Sequence, residues 1–63
     1  MEPLTDEIRE KAKYIGDGAY YMNEGWAALI FTTNGLTIQN KVYIDSQDIP
    51  TLLNHLKQDG YIS

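Results

Sequence analysis

The stretch from Trp26 to Ile44 constrains this chain more than any other. Two β-rich runs, WAALIFTT and LTIQNKVYI, flank the dipeptide Asn34-Gly35. Asn-Gly between such runs favours a two-residue type I′ turn, in which both central residues take positive φ. That turn sets a register. It pairs Thr33 with Leu36, Phe31 with Ile38, Leu29 with Asn40 and Ala27 with Val42. Side chains alternate along a strand, so these residues and Ile44 should share one sheet face, the core face. Trp26, Ala28, Ile30 and Thr32 then share the other face with Thr37, Gln39, Lys41 and Tyr43, and Trp26 stands opposite Tyr43. Asn40 is the polar member of an apolar row, so its amide is expected to be hydrogen-bonded internally or to mark a bend in the strand.

The flanking segments complete an α-β-β-β-α order. Residues 4–14 read as a helix, with Leu4, Ile8, Ala12 and Ile15 on one narrow stripe. Thr5 is its N-cap, Asp6 and Glu7 suit the positive end of the dipole, and Glu7 and Lys11 form an i,i+4 pair. Gly16-Asp17-Gly18 reads as the break that ends this helix. Residues 19–22 form a short strand, and Asn23-Glu24-Gly25 a tight turn with Gly25 at positive φ. A second helix is predicted over 49–58, capped by Asp48 or Ser46, with Pro50 in its first turn. Ile49, Leu52, Leu53 and Leu56 form its apolar stripe, and Gly60 with Tyr61 should close its C-terminus. The expectation is a single small α+β domain over 1–63, with 1–13 as a helical extension of the 14–63 core. Its sheet is a three-stranded antiparallel meander, with the C-terminal helix packed on the core face through Leu52, Leu53 and Leu56.

Composition narrows the function classes. The chain has 63 residues, no Cys, one His and a net charge of −4. A domain this small buries only about 60% of its unfolded surface, so outside help with stability is expected. With no Cys and only His55, neither a disulfide nor a Cys- or His-based metal site can supply it, which leaves oligomerisation and points to a homodimer. Five basic residues form no stripe for nucleic acid, so direct nucleic-acid binding is not expected. No apolar run is long enough to cross a bilayer and the N-terminus lacks a leader-like segment, so a cytoplasmic protein is expected.

No residue set suits catalysis. His55 lies on the flank of the second helix and reads as a solvated surface residue. Asp45 and Asp48 are explained by capping, and Asp17 by turn formation. GDG fits neither phosphate-loop pattern. A non-enzymatic protein without cofactor or metal is therefore expected. What remains is a spare apolar face. If the Asn23-Glu24-Gly25 turn is a three-residue loop, Tyr20 and Met22 join Trp26, Ile30 and Tyr43 there. These five are the candidate interface residues, because Trp and Tyr are common interface anchors.

The segments YIGDGAYY (14–21), EGW (24–26), FTTNG (31–35) and QNKVYID (39–45), leading into a Leu-rich helix, together resemble a family of very short proteins of tailed phages and prophages. The chain is also similar to the short Hachiman anti-defence proteins. The resemblance covers residues 14–57 and departs from the family pattern at Met22-Asn23, where an aromatic commonly precedes the turn. It implies a small accessory protein acting in the host bacterial cytoplasm. That protein would be a homodimer that inhibits a bacterial anti-phage defence component by protein–protein contact. It supplies no catalytic residues. Two other expectations stay open beside it: a nucleotide-binding sponge stacking a base on Tyr20, Trp26 and Tyr43, and a structural or regulatory virion component.

Overall fold

A computed structural model describes residues 2–62. In chain order the elements are β1 (Glu2–Pro3), α1 (Asp6–Lys11), β2 (Lys13–Gly16), β3 (Ala19–Asn23), β4 (Ala27–Thr33), β5 (Thr37–Asp45), a single 3-10 turn (Ser46–Asp48) and α2 (Ile49–Gln58). The strands form one antiparallel sheet in the order β1-β5-β4-β3-β2. The class is α+β, but the expected three-stranded meander is corrected to five strands.

Two local causes add the extra strands. Helix α1 starts as expected: the Thr5 hydroxyl accepts from the Ile8 amide at 3.2 Å, and Lys11 pairs with Glu7 at 3.0 Å. It stops at Lys11, because Ala12 is already extended at φ −76° and ψ 144°. Asp17 and Gly18 then both take positive φ, 53° and 77°. Gly16 pairs with Ala19 across them, so the segment read as a helix break is a two-residue hairpin of type I′ character. Residues 13–16 therefore run as a strand, and Ile15 leaves the helical stripe for an exposed strand position. On the opposite edge, Glu2 and Pro3 pair with Ile38 and Thr37 of β5. Residues 2–12 thus supply an edge strand and a covering helix to the same sheet.

The register between β4 and β5 is also corrected. Asn34 does not take positive φ. Its side-chain oxygen instead accepts from the Leu36 and Thr37 amides, both at 2.9 Å, while the Gly35 amide donates to the Thr33 hydroxyl at 3.0 Å. This side-chain capping widens the connection to four residues, and Thr33 pairs with Ile38. A bulge follows, after which Thr32 pairs with Asn40, Ile30 with Val42, Leu29 with Tyr43 and Ala27 with Asp45. An odd slip exchanges the two faces. Val42 and Ile44 leave the expected core row for the face of Ile30 and Ala28, and Lys41 and Tyr43 take their place beside Phe31 and Leu29. Asn40 also leaves the expected core row, for the exposed position opposite Thr32. It lies beside the bulge, and its amide donates to the Thr32 hydroxyl at 3.1 Å.

The core lies between the sheet and α1. Leu29 and Phe31 are 2% and 1% exposed, Ile38 is buried with them, and Leu4, Ile8, Ala12, Tyr20 and Met22 pack against the three. Tyr20 stacks on Phe31 with ring centroids 5.5 Å apart, and Tyr14 meets Tyr20 edge-on at 5.3 Å. The N-terminal helix therefore covers the core face.

The C-terminal helix does not, which corrects the expected packing of Leu52, Leu53 and Leu56. Helix α2 forms over the residues expected and ends in a Schellman motif. The Tyr61 amide donates to the Leu56 carbonyl at 2.9 Å, the Gly60 amide to that of Lys57 at 3.1 Å, and Gly60 takes φ 84°. No α2 residue is buried, and its extensive contacts are with the 3-10 turn alone. The turn, capped by Asp45 accepting from the Gln47 amide at 2.9 Å, points the helix off the end of β5. The molecule is accordingly long, 36 × 24 × 19 Å. Its radius of gyration of 12.9 Å exceeds the ~10.6 Å of a compact chain of this length.

Candidate functional site

The five interface candidates are not one cluster. Tyr20 and Met22 pair with Phe31 and Leu29, so they face α1 and belong to the core side. Ile30 points to the opposite face, in a row with Tyr21 and Val42. Trp26 and Tyr43 do come together. Their rings stack with centroids 5.4 Å apart and planes 17° from parallel.

They meet by a route other than the cross-strand pairing expected, for Tyr43 stands opposite Leu29. Trp26 lies in the loop before β4, free of strand alternation, and its carbonyl accepts from the Ser46 amide at 3.0 Å. Gly25, at φ 89°, and Asn23, whose side-chain oxygen accepts from the Gly25 amide at 2.8 Å, shape that loop. The rings are 58% and 45% exposed. They form a rigid, solvent-facing aromatic step.

A cleft of about 340 Å³ lies beside α1 on the face that carries Tyr43. Met22, Leu29, Phe31 and Ile38 form its apolar floor, and Ile8 its wall. Glu2, Glu7, Glu24, Lys11 and Lys41 stand around it. Lys41 links cleft and step: its ammonium lies 5.9 Å from the Tyr43 ring centroid and forms an ion pair with Glu2. The hydrogen bond from Lys41 to Glu2 raises the Lys41 pKa above the ordinary lysine value, against a smaller opposing effect of burial. The Lys11 pKa is likewise raised, first by its hydrogen bond to Glu7 and then by that carboxylate's charge.

The role of Lys41 and Glu2 was out of reach of the expected register, which put Lys41 on the face away from the core. The signal that could have found it is the polar set Thr33, Asn34 and Thr37. Side chains able to cap backbone amides favour a wider loop over a two-residue turn.

No family model, curated protein or solved structure matches this chain. Among the described residues, no group of three or more His, Cys, Asp or Glu is placed to hold a metal ion, and no helix is long and apolar enough to cross a membrane.

Proposed function

We propose that this chain works by binding another protein, with the Trp26–Tyr43 step and the adjoining cleft as its recognition surface. The observation that carries the reading is the step itself. Two large rings are held parallel by a shaped loop and strand β5, largely open to solvent, beside an apolar floor with charges around it. Preorganised aromatic groups of this kind are typical anchors of interfaces, because little entropy is lost when they dock. Together with the resemblance of residues 14–57, this supports a phage-encoded accessory protein. It acts as a homodimer in the bacterial cytoplasm and inhibits a component of an anti-phage defence system by covering its surface. Occlusion needs no chemistry from the chain.

The nucleotide-sponge reading has less support. Lys41 is the cation nearest the step, and Glu2 already engages it.

The test is a plaque assay on bacteria carrying individual defence systems, Hachiman among them, with and without the chain expressed. Plaque counts should recover on at least one strain with the wild-type chain. They should fall back with a Trp26→Ala/Tyr43→Ala variant whose circular dichroism is unchanged. No recovery on any strain, or full recovery with the variant, would refute the reading.

A further inference from the structure

Among the described residues, the sheet face turned away from α1 is only partly covered, and so is α2. Tyr21, Ile30 and Val42 form one row across β3, β4 and β5, and Ala28 and Ile44 stand in the next. The row is open at its β5 end, where Val42 is 57% exposed, and half-buried at Tyr21 and Ile30. Helix α2 presents Ile49, Leu52, Leu53 and Leu56 along one stripe, with Leu52 and Leu53 exposed and Ile49 and Leu56 half-buried. The extensive contacts of α2 are with the 3-10 turn rather than with a strand. Ile49 comes back to the sheet, at the wall of a crevice of about 290 Å³ shared with Tyr21 and Ala28.

We infer that a second copy of the chain covers this face, with α2 of each protomer lying across the Tyr21-Ile30-Val42 row of the other. Three observations point to that occupant. The first is area. A compact monomer of 7.2 kDa exposes roughly 4,100 Å², whereas this chain exposes 4823 Å². The excess, about 700 Å², is close to the ~800 Å² that each partner contributes to a standard interface.

The second is fit. The stripe from Ile49 to Leu56 is about 10 Å long at the helical rise of ~1.5 Å per residue. Three strands at a spacing of ~4.8 Å span about the same distance. The third is reciprocity. A two-fold interface requires one chain to carry both complementary surfaces, and this chain carries an apolar helix and an apolar sheet face joined by three residues. This deepens the homodimer in the function just proposed and rests on it only in requiring two copies. It leaves the aromatic step, on the opposite side of the sheet, free for the partner.

The experiment is sedimentation velocity on the full chain at micromolar concentration, with circular dichroism as the check on folding. Wild type should sediment at twice the monomer mass. Val42→Lys and Leu53→Lys should each sediment as folded monomers, while Trp26→Ala stays dimeric. The chain has no Cys, which permits a second test independent of folding losses. A Val42→Cys chain mixed with a Leu53→Cys chain should oxidise to a covalent heterodimer, and a Trp26→Cys chain mixed with Leu53→Cys should not. A monomeric wild type would overturn the inference together with the homodimer. A dimer that survives both lysine variants and gives no Val42–Leu53 cross-link would overturn the inference alone. Plaque recovery would still decide whether the chain binds a defence protein.

Discussion

The Asn34 loop gives the sharpest check on the register, because two turn geometries ask opposite things of residue 34. In a two-residue type I′ turn, position 34 needs positive φ and Gly serves as well as Asn. In the loop observed, position 34 has ordinary φ and its side-chain oxygen accepts two backbone amides at 2.9 Å each. Asn34→Gly therefore removes both hydrogen bonds and adds backbone freedom to the unfolded chain. Exposed amides regain water, so each lost bond is worth about 0.5 kcal/mol, the low end of its range. The added freedom costs about 0.5–1 kcal/mol. The expected loss is about 1.5–2 kcal/mol. Asn34→Asp keeps the acceptor and should change stability by less than about 0.5 kcal/mol. A chain of this length has roughly 3–9 kcal/mol in total, so the Gly variant loses a large share. Urea denaturation followed by Trp26 fluorescence reads both variants at one fixed protein concentration, which matters for a dimer. A Gly variant as stable as wild type would sink the four-residue loop, and the face assignments that follow from it.

Two other expectations concern packing and charge. Phe31→Ala opens the space between the sheet and α1 at the most buried side chain and should cost about 3–5 kcal/mol. Near-complete loss of the folded signal is expected at 37 °C, and a cooperative transition close to wild type would refute the core as described. For the Lys41–Glu2 pair, the folded pKa of Lys41 is raised. Its stabilisation is therefore fully present below the ordinary lysine pKa and is lost as pH rises through the folded value. As the pair is partly exposed, it should be worth no more than about 0.5 kcal/mol. By NMR titration, Glu2→Gln should bring the Lys41 midpoint down toward the ordinary lysine value; an unchanged midpoint would remove Glu2 as the cause.

Much of the architecture was legible where local chemistry acts alone. The Thr5 cap, the Glu7–Lys11 pair, the Gly25 turn, the strand over Ala27–Thr33 and the span and Schellman end of α2 follow from residue type and spacing. Errors entered where two local rules competed. Asn34-Gly35 and Asp17-Gly18 are both type I′ dipeptides, and the chain uses the second one as such. At the first, Thr33 and Asn34 satisfy backbone amides with their own side chains, which a dipeptide rule does not register. The candidate site inherited that error. Trp26 and Tyr43 do meet, but not as the cross-strand partners expected, since Tyr43 stands opposite Leu29. Lys41, Val42, Tyr43 and Ile44 each lie on the face opposite to the one a two-residue turn implies, and Ile30 lies across the sheet from the rings. The two-residue strand Glu2–Pro3 is too short to carry any periodicity.

That short strand also sets the order in which the molecule can assemble. The turns at residues 17–18, 24–26 and 34–37 join neighbouring segments and can zip on the microsecond timescale of hairpins. The pairing of Glu2 with Ile38 spans more than half of the chain and has no template until β5 is in place. It closes as a latch, and α1 is carried over Leu29 and Phe31 in the same motion. Until then Leu29 and Phe31 stay wet, and the contacts of the first dozen residues are the ones with the longest loop to close.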